Sequence, residues 1–370
     1  MPDRKITIGL MSGTSLDGVD AVAMSFQPNR MTELGHAFVA MPEKLRVHLH
    51  SLCFPGENEI DRMGIAGIAL SELYAEVTLS LLQQLNLSAQ DVTALGAHGQ
   101  TIRHRPEKGF TTQLLQPALL AERTNIDVIC DFRSRDIAAG GEGAPLVPAF
   151  HAATFTGPVP RAILNIGGIS NLSLLPSQQE STSVRIFGGD TGPGNILLNH
   201  WCESHIGETF DRNGHWSRTG KLCLPLLNEM LLDPYFSQPF PKSTGREHFS
   251  EFWLQEKLSA FKALPPEDVA RTLTELTAVS IIQALHREAP EIEEIFVCGG
   301  GAFNHFLLER LQSHFKGLVT TTDQLGVAPD HVEGAAFAWL AHQFIERLPG
   351  NLPSVTKAQG QRILGALYPH

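Results

Sequence analysis

Short apolar runs that break into glycine-rich turns occur in both halves of this chain. Ile6–Leu10 leads through Gly9-Leu10-Met11-Ser12-Gly13-Thr14-Ser15-Leu16-Asp17-Gly18-Val19-Asp20, Ala162–Ile166 through Asn165-Ile166-Gly167-Gly168-Ile169-Ser170-Asn171, and Ile295–Cys298 into Gly299-Gly300-Gly301-Ala302-Phe303-Asn304. A fourth run, Ile186–Phe187, meets Gly188-Gly189-Asp190-Thr191-Gly192-Pro193-Gly194-Asn195. Apolar runs bounded by glycine predict strands, and Ala94–Ala97 and Ile126–Cys130 read the same way. Helical spacing of apolar residues predicts helices over Ile60–Leu85, Gly194–His205, Asp268–Arg287, from Asn304 onward and over His331–Leu348. Strands alternating with helices imply α/β layers. Asp20–Ser25 is apolar enough to return from the first turn as a hairpin, so the sheet need not be wholly parallel.

The chain has 370 residues, more than one core of about 250–300 residues usually holds, so two domains are expected. The second half restarts in the style of the first. The Gly/Pro-rich stretch Arg135–Pro148 offers a junction, and Lys357–His370 is expected to fold back on the first domain. The divisions expected are 1–134 plus about 355–370 for the N-terminal domain, and 135–354 for the C-terminal one. A formal charge of −11 argues against a nucleic-acid or anionic-membrane surface. The five cysteines form no C-x-x-C pair, so buried thiols in a reducing compartment are expected rather than disulfides or zinc. No uninterrupted apolar run of about 18 residues and no secretory leader pattern are present. The expectation is a cytoplasmic protein.

The first turn is neither a Walker A loop nor a dinucleotide G-x-G-x-x-G. Its glycines permit close backbone approach to a phosphate, and its hydroxyls add donors; a tight polar hairpin explains it equally well. Asp17 and Asp20 either hold Mg²⁺ through water or cap the turn. Gly167 and Gly168 repeat the strand–glycine pattern. Gly299, Gly300 and Gly301, followed by Asn304 at a helix start, permit a flat base against the backbone and an anion at the helix N-terminus. Together these turns match a nucleotide held between two domains. Asp190 reads either as a general base or as a helix N-cap. Thr101, in Ala97–Pro106, and Arg133, in Asp131–Asp136, follow strands. Arg133 or Arg135 could clamp a carboxylate, and surface salt bridges are the plain alternative. Lys242–Glu247 is a third polar stretch. Glu333 reads as a first-turn acid in the last long helix.

The stretches Gly9–Asp20, Ala97–Pro106, Asp131–Pro148, Asn165–Asn171, Gly188–Asn195, Lys242–Phe249, Val297–Asn304 and Glu333–Ala338 together resemble the anhydro-N-acetylmuramic acid kinase family, in order over nearly the whole chain. The resemblance implies two actin-like (ribonuclease H-like) α/β domains flanking a nucleotide cleft. It implies ATP and Mg²⁺ as cofactors, a small-molecule sugar substrate and a homodimer. By motif it assigns the ATP phosphates to Gly13, Thr14, Ser15, Leu16, Asp17, Gly18, Val19 and Asp20, and the catalytic base to Asp190. Thr101, Arg133 and Glu333 become sugar contacts.

The implied reaction converts ATP, water and 1,6-anhydro-N-acetylmuramate to ADP and N-acetylmuramate 6-phosphate, in peptidoglycan recycling. The anhydro sugar has no free hydroxyl at C6, because O6 is bridged to C1. The implied base therefore deprotonates water, which attacks C1 while O6 attacks the γ-phosphate. A glycosidase needs a second carboxylic acid to protonate its leaving oxygen; phosphorylation replaces that step, so one carboxylate suffices. Domain closure is expected, with a hinge near Arg133–Gly143 and in the C-terminal segment.

Overall fold

The computed structural model describes residues 5–13, 15–28, 30–180 and 186–370. Their strands, in chain order, are β1 (Lys5–Met11), β2 (Gly18–Gln27), β3 (Arg30–Ala40), β4 (Ala94–Ala97), β5 (Gln100–Arg105), β6 (Phe110–Leu114), β7 (Val128–Cys130), β8 (Arg161–Ile166), β9 (Ile169–Leu175), β10 (Phe187–Pro193), β11 (Glu294–Cys298), β12 (Leu318–Thr321) and β13 (Ala366–Tyr368). The chain divides into two compact units, Met1–Thr154 with His331–His370, and Phe155–Asp330.

In the first unit the strand order is β13-β7-β4-β1-β2-β3. The first three strands form an antiparallel meander, to which β4 and β7 add in parallel. Alternation along β1 sends Ile6, Ile8 and Leu10 into one core with Leu70, Tyr74, Val77 and Leu81 of the helix Glu59–Leu85, as the two-residue strand period requires. The opposite face carries the helix Val332–Ile345. That helix comes unusually close to the strands. A Cβ on Gly9 would lie 1.8 Å from the Gly334 carbonyl oxygen, and one on Gly96 2.1 Å from that of Phe337. Thr7 Oγ1 also donates to Ala338 C=O at 2.7 Å.

The second unit repeats the scheme. Its order is β10-β9-β8-β11-β12, with an antiparallel β8-β9-β10 meander and parallel additions of β11 and β12. Ala162, Leu164, Leu172 and Leu174 pack against Ala278, Ile281 and Leu285 of the helix Pro266–Glu288. A second apolar cluster joins that helix to Ile196–Ile206, Leu224–Leu231 and Glu251–Leu258 through Leu198, Trp201, Met230, Phe249 and Trp253.

Several expectations change. The units do not part at 134/135 and 354/355. Residues 135–154 stay with the first sheet, and so does the helix Val332–Ile345, because the small residues Gly9, Gly96 and Gly334 seat it on β1 and β4. The Gly/Pro-rich stretch lies inside the first unit. Glu142 N–H donates to Thr356 C=O at 2.7 Å and Gln359 N–H to Ala139 C=O at 2.8 Å. The C-terminal segment does fold back, pairing β13 with β7. None of the five cysteines forms a disulfide among the described residues; Cys130, Cys202 and Cys298 are buried, Cys53 and Cys223 half-buried. By length and mean hydropathy one described helix, Glu59–Leu85, could cross a membrane. Its buried stripe against the sheet accounts for that hydropathy as a core helix.

Candidate active site

The first glycine turn joins β1 to β2, and its anchors come from distant chain. Ser12 Oγ lies 2.8 Å from the hydroxyl of Tyr74, which burial keeps protonated by pushing its pKa up. Gln100 Nε2 donates to Gly13 C=O at 3.3 Å, and Met41 N–H to Asp17 C=O at 2.9 Å. Leu16 takes φ 59°, a left-handed conformation that costs a leucine energy and persists only when its surroundings impose it.

The string Gly13–Asp20 thus divides. Gly13, Ser15, Leu16 and Asp17 form the turn, with Ser15 and Asp17 exposed. Gly18, Val19 and Asp20 already belong to β2. Gly18 is required by packing, since a Cβ there would meet the Phe38 ring at 2.3 Å, and Val19 is buried. Asp20 Oδ1 is engaged by His36 Nε2 at 2.8 Å. Thr14 lies outside the described residues. Among the described residues no group of three His, Cys, Asp or Glu side chains could hold a metal ion. Of the two acids weighed for Mg²⁺, Asp17 is the one left exposed on the turn.

Glycines elsewhere separate by what they do. Gly299 is needed for its φ of 76° and Gly301 for packing, where a Cβ would be 2.3 Å from Ile166 Cγ2. Four others meet neither demand. A Cβ on Gly13, Gly167, Gly168 or Gly300 would find its nearest neighbour at 3.6, 3.6, 3.8 or 3.9 Å, and none of the four has a positive φ. A methyl would fit at each in ordinary van der Waals contact, so neither packing nor backbone conformation demands these glycines; bare backbone of that kind is what a closely approaching ligand requires. Gly300 and Asn304 also line a cavity of about 480 Å³ with Asn195, Asn199, Phe210 and Arg212. The Arg212 guanidinium lies over the Phe210 ring at 5.1 Å. Asn304 caps the helix His305–His314 by accepting Leu307 N–H at 3.0 Å. The helix Ile196–Ile206 offers less at its start. The amides of Gly194, Asn195 and Ile196 already donate to the carbonyls of Gly167 and Gly168.

Asp190 is not a helix cap. It lies within β10, opposite Asn171, just before a register shift between Asp190 and Gly192. Its Oδ2 accepts Thr244 N–H at 3.0 Å and Ser243 O–H at 3.2 Å. Burial raises the carboxyl above the usual range, partly offset by these bonds and by the Lys242 ammonium. Such a carboxylate is a stronger base than a solvated one.

In the first unit the structure brings together Arg133, Glu333 and a residue that the sequence did not single out as a contact, His98. Arg133 donates from Nε and Nη2 to His98 Nε2 and from Nη1 to Gly143 C=O at 2.8 Å. Burial lowers its pKa to about 10, while the charges of Glu333 and Asp136 act to raise it. Arg135, the alternative clamp, is exposed. Thr101 sits on the β5–β6 hairpin, its hydroxyl accepting Gln113 Nε2 at 3.0 Å. Glu333 occupies the first turn of Val332–Ile345.

The repeated strand scheme, with the fourth and fifth strands added in parallel beside a three-strand antiparallel meander, defines an actin-like, ribonuclease H-like α/β protein. The model of the family described as anhydro-N-acetylmuramic acid kinase matches residues 5–370. A protein of that name from Burkholderia vietnamiensis (strain G4 / LMG 22486) is 50% identical over 375 residues, covering 100% of this chain and 97% of the relative. One from Paraburkholderia xenovorans (strain LB400) is 50% identical over 376 residues, covering 100% and 99%. One from Variovorax paradoxus (strain S110) is 49% identical over 371 residues, covering 99% of each. The chain belongs to the anhydro-N-acetylmuramic acid kinase family.

Proposed function

We propose that this chain is a kinase that uses ATP and water to convert 1,6-anhydro-N-acetylmuramate to N-acetylmuramate 6-phosphate and ADP, as a step in peptidoglycan recycling. The observation that carries the ATP half of the reading is glycine at Gly13, Gly167, Gly168 and Gly300 where neither packing nor a positive φ requires it. The turn Gly13–Asp17 would bind phosphate through backbone amides and the Ser15 hydroxyl. The cavity beside Gly300 and Asn304, floored by glycine and walled by Phe210 and Arg212, suits a nucleoside. Asp17, the acid left exposed on the turn, is the residue that would hold Mg²⁺, and the ion would neutralise phosphate charge. Its usual coordination with nucleotides needs only one or two protein carboxylates.

In the sugar half, Asp190 takes a proton from water. The water oxygen bonds to C1, the C1–O6 bond breaks, and O6 bonds to the γ-phosphorus as ADP leaves. Water attacks the face opposite O6, so the anomeric centre inverts. A positioned base contributes about 10²–10⁴-fold, and charge neutralisation around the phosphates supplies most of the rest. Arg133 would take the lactyl carboxylate, with Thr101 and Glu333 as further sugar contacts. A cytoplasmic location is supported by five cysteines that form no disulfide among the described residues, and a homodimer by the family resemblance; light scattering measures the latter.

Measuring ATP consumption with and without the anhydro sugar tests the reading. Stoichiometric ADP and sugar phosphate, formed only when both substrates are present, are expected. ATP turnover indifferent to the sugar would reject it.

A further inference from the structure

Asp190 is held on one side only. Oδ2 receives both the Thr244 amide and the Ser243 hydroxyl, whereas no hydrogen bond from a described residue reaches Oδ1. The backbone of the same residue is tied into a closed circuit. Asp190 N–H donates to Lys242 C=O at 3.0 Å. Lys242 Nζ donates to Tyr235 C=O at 2.8 Å and sits 4.2 Å over the Tyr235 ring. Tyr235 O–H donates to Asp190 C=O at 2.8 Å. Gly189 permits the approach, because a Cβ there would be 2.9 Å from the Phe240 ring and 3.0 Å from Lys242 C=O.

We infer that Lys242-Ser243-Thr244 is a positioning clamp that holds Asp190 by Oδ2 and leaves Oδ1 as the atom that receives the proton. The inference rests on the proposed role of Asp190 as base. An oxygen that accepts two donors has its lone pairs occupied and its charge stabilised; its unpartnered twin is the more basic atom. Fixing one oxygen also removes rotation about the carboxylate bond, so the acceptor is in place before water arrives.

The charged group facing Asp190 is Lys242, whose ammonium favours the ionised carboxylate. From the helix Pro266–Glu288, Arg287 and Glu288 act on Lys242 instead. Arg287 donates to the Phe236 and Gln238 carbonyls, and Glu288 accepts Phe240 N–H at 3.2 Å. The β9 residue opposite, Asn171, is uncharged. Tyr235 is kept protonated by burial.

The test is the pH dependence of kcat for the full chain, with Ser243→Ala, Ser243→Thr and Asp190→Asn. Ser243→Ala removes a donor to the ionised carboxylate. Asp190 should then keep its proton to higher pH, and the acid limb of the profile should move to higher pH. Ser243→Thr restores the hydroxyl and should restore the limb. A residue that only braces the fold would lower the plateau without moving the limb; that result, with Asp190→Asn inactive, overturns the clamp. An Asp190→Asn enzyme with normal kcat would instead overturn the base assignment beneath it.

Discussion

Two N–H groups of Arg133, on Nε and Nη2, converge on one atom, His98 Nε2, at 3.2 and 2.9 Å. That nitrogen must therefore be a lone pair, and the proton of the neutral ring sits on Nδ1. Burial, and then the guanidinium itself, hold His98 well below the usual histidine range. The third donor of Arg133 also meets a neutral acceptor, the Gly143 carbonyl. Both hydrogen-bond acceptors of the half-buried guanidinium are thus neutral, while the carboxylates of Glu333 and Asp136 act on it as nearby charges; its planar fork suits a substrate carboxylate.

Arg133→Lys keeps the charge and loses the planar fork. KM for the anhydro sugar should rise about 10–100-fold with KM for ATP unchanged, the usual loss when a bidentate contact becomes a point contact. Repeating the assay with the analogue that lacks the lactyl group should show little difference between wild type and variant. Equal losses on both sugars would remove Arg133 from the carboxylate.

Glycine substitutions should separate the open turns from the packed ones. Gly168→Ala and Gly300→Ala place a methyl where the nearest atoms are 3.8 and 3.9 Å away. The fold should persist, while KM for ATP rises. Gly9→Ala puts its methyl 1.8 Å from the Gly334 carbonyl oxygen, so β1 and the helix Val332–Ile345 cannot both stay in place. That variant should be recovered unfolded or aggregated, as circular dichroism and gel filtration would report.

Asp136 is fully buried and fastens two segments. Its Oδ1 accepts Asn351 Nδ2 and Thr356 Oγ1, both at 2.7 Å, and its Oδ2 accepts Gly143 N–H at 2.8 Å. Asp136→Asn turns one acceptor into a donor facing donors, a change that costs about 2–4 kcal/mol. Urea unfolding should show that loss, and amide exchange should quicken in residues 351–360.

His151 is buried and its pKa is lowered from 6.5 to about 3. The unfolded chain therefore binds a proton that the folded chain refuses once pH falls below 6.5, and stability declines from there toward pH 3. At pH 5 this one group should have cost about 2 kcal/mol, at 1.36 kcal/mol per unit. His104 and His342, shifted in the same direction by burial, add to the slope. Urea midpoints should fall between pH 7 and pH 5, less steeply in His151→Phe.

The strands ending in glycine, the return of β2 and the long helices are readable from sequence because each is set by neighbours within a few residues. The contacts that give the site its chemistry are not local. Tyr74 lies 62 residues from Ser12, and Ser243 and Thr244 lie 53 and 54 residues from Asp190. Asp190, separated by Thr191 from Gly192-Pro193-Gly194, reads in sequence as a helix cap as readily as a base; pairing with Asn171 makes it a strand residue. His98 carries no signal of its own, since only the fold brings Arg133 onto its ring. The helix Val332–Ile345 looks continuous with what precedes it, and its place in the first unit depends on glycines more than 200 residues away, at Gly9 and Gly96.

The central claim is that water, deprotonated by Asp190, opens the sugar while O6 takes the phosphoryl group. Running the reaction in ¹⁸O-labelled water and analysing both products by mass spectrometry tests it most directly. One label at C1 of the sugar product and none in its phosphate is the predicted result. Label in phosphate, or a phosphorylated sugar with no label at C1, would contradict it.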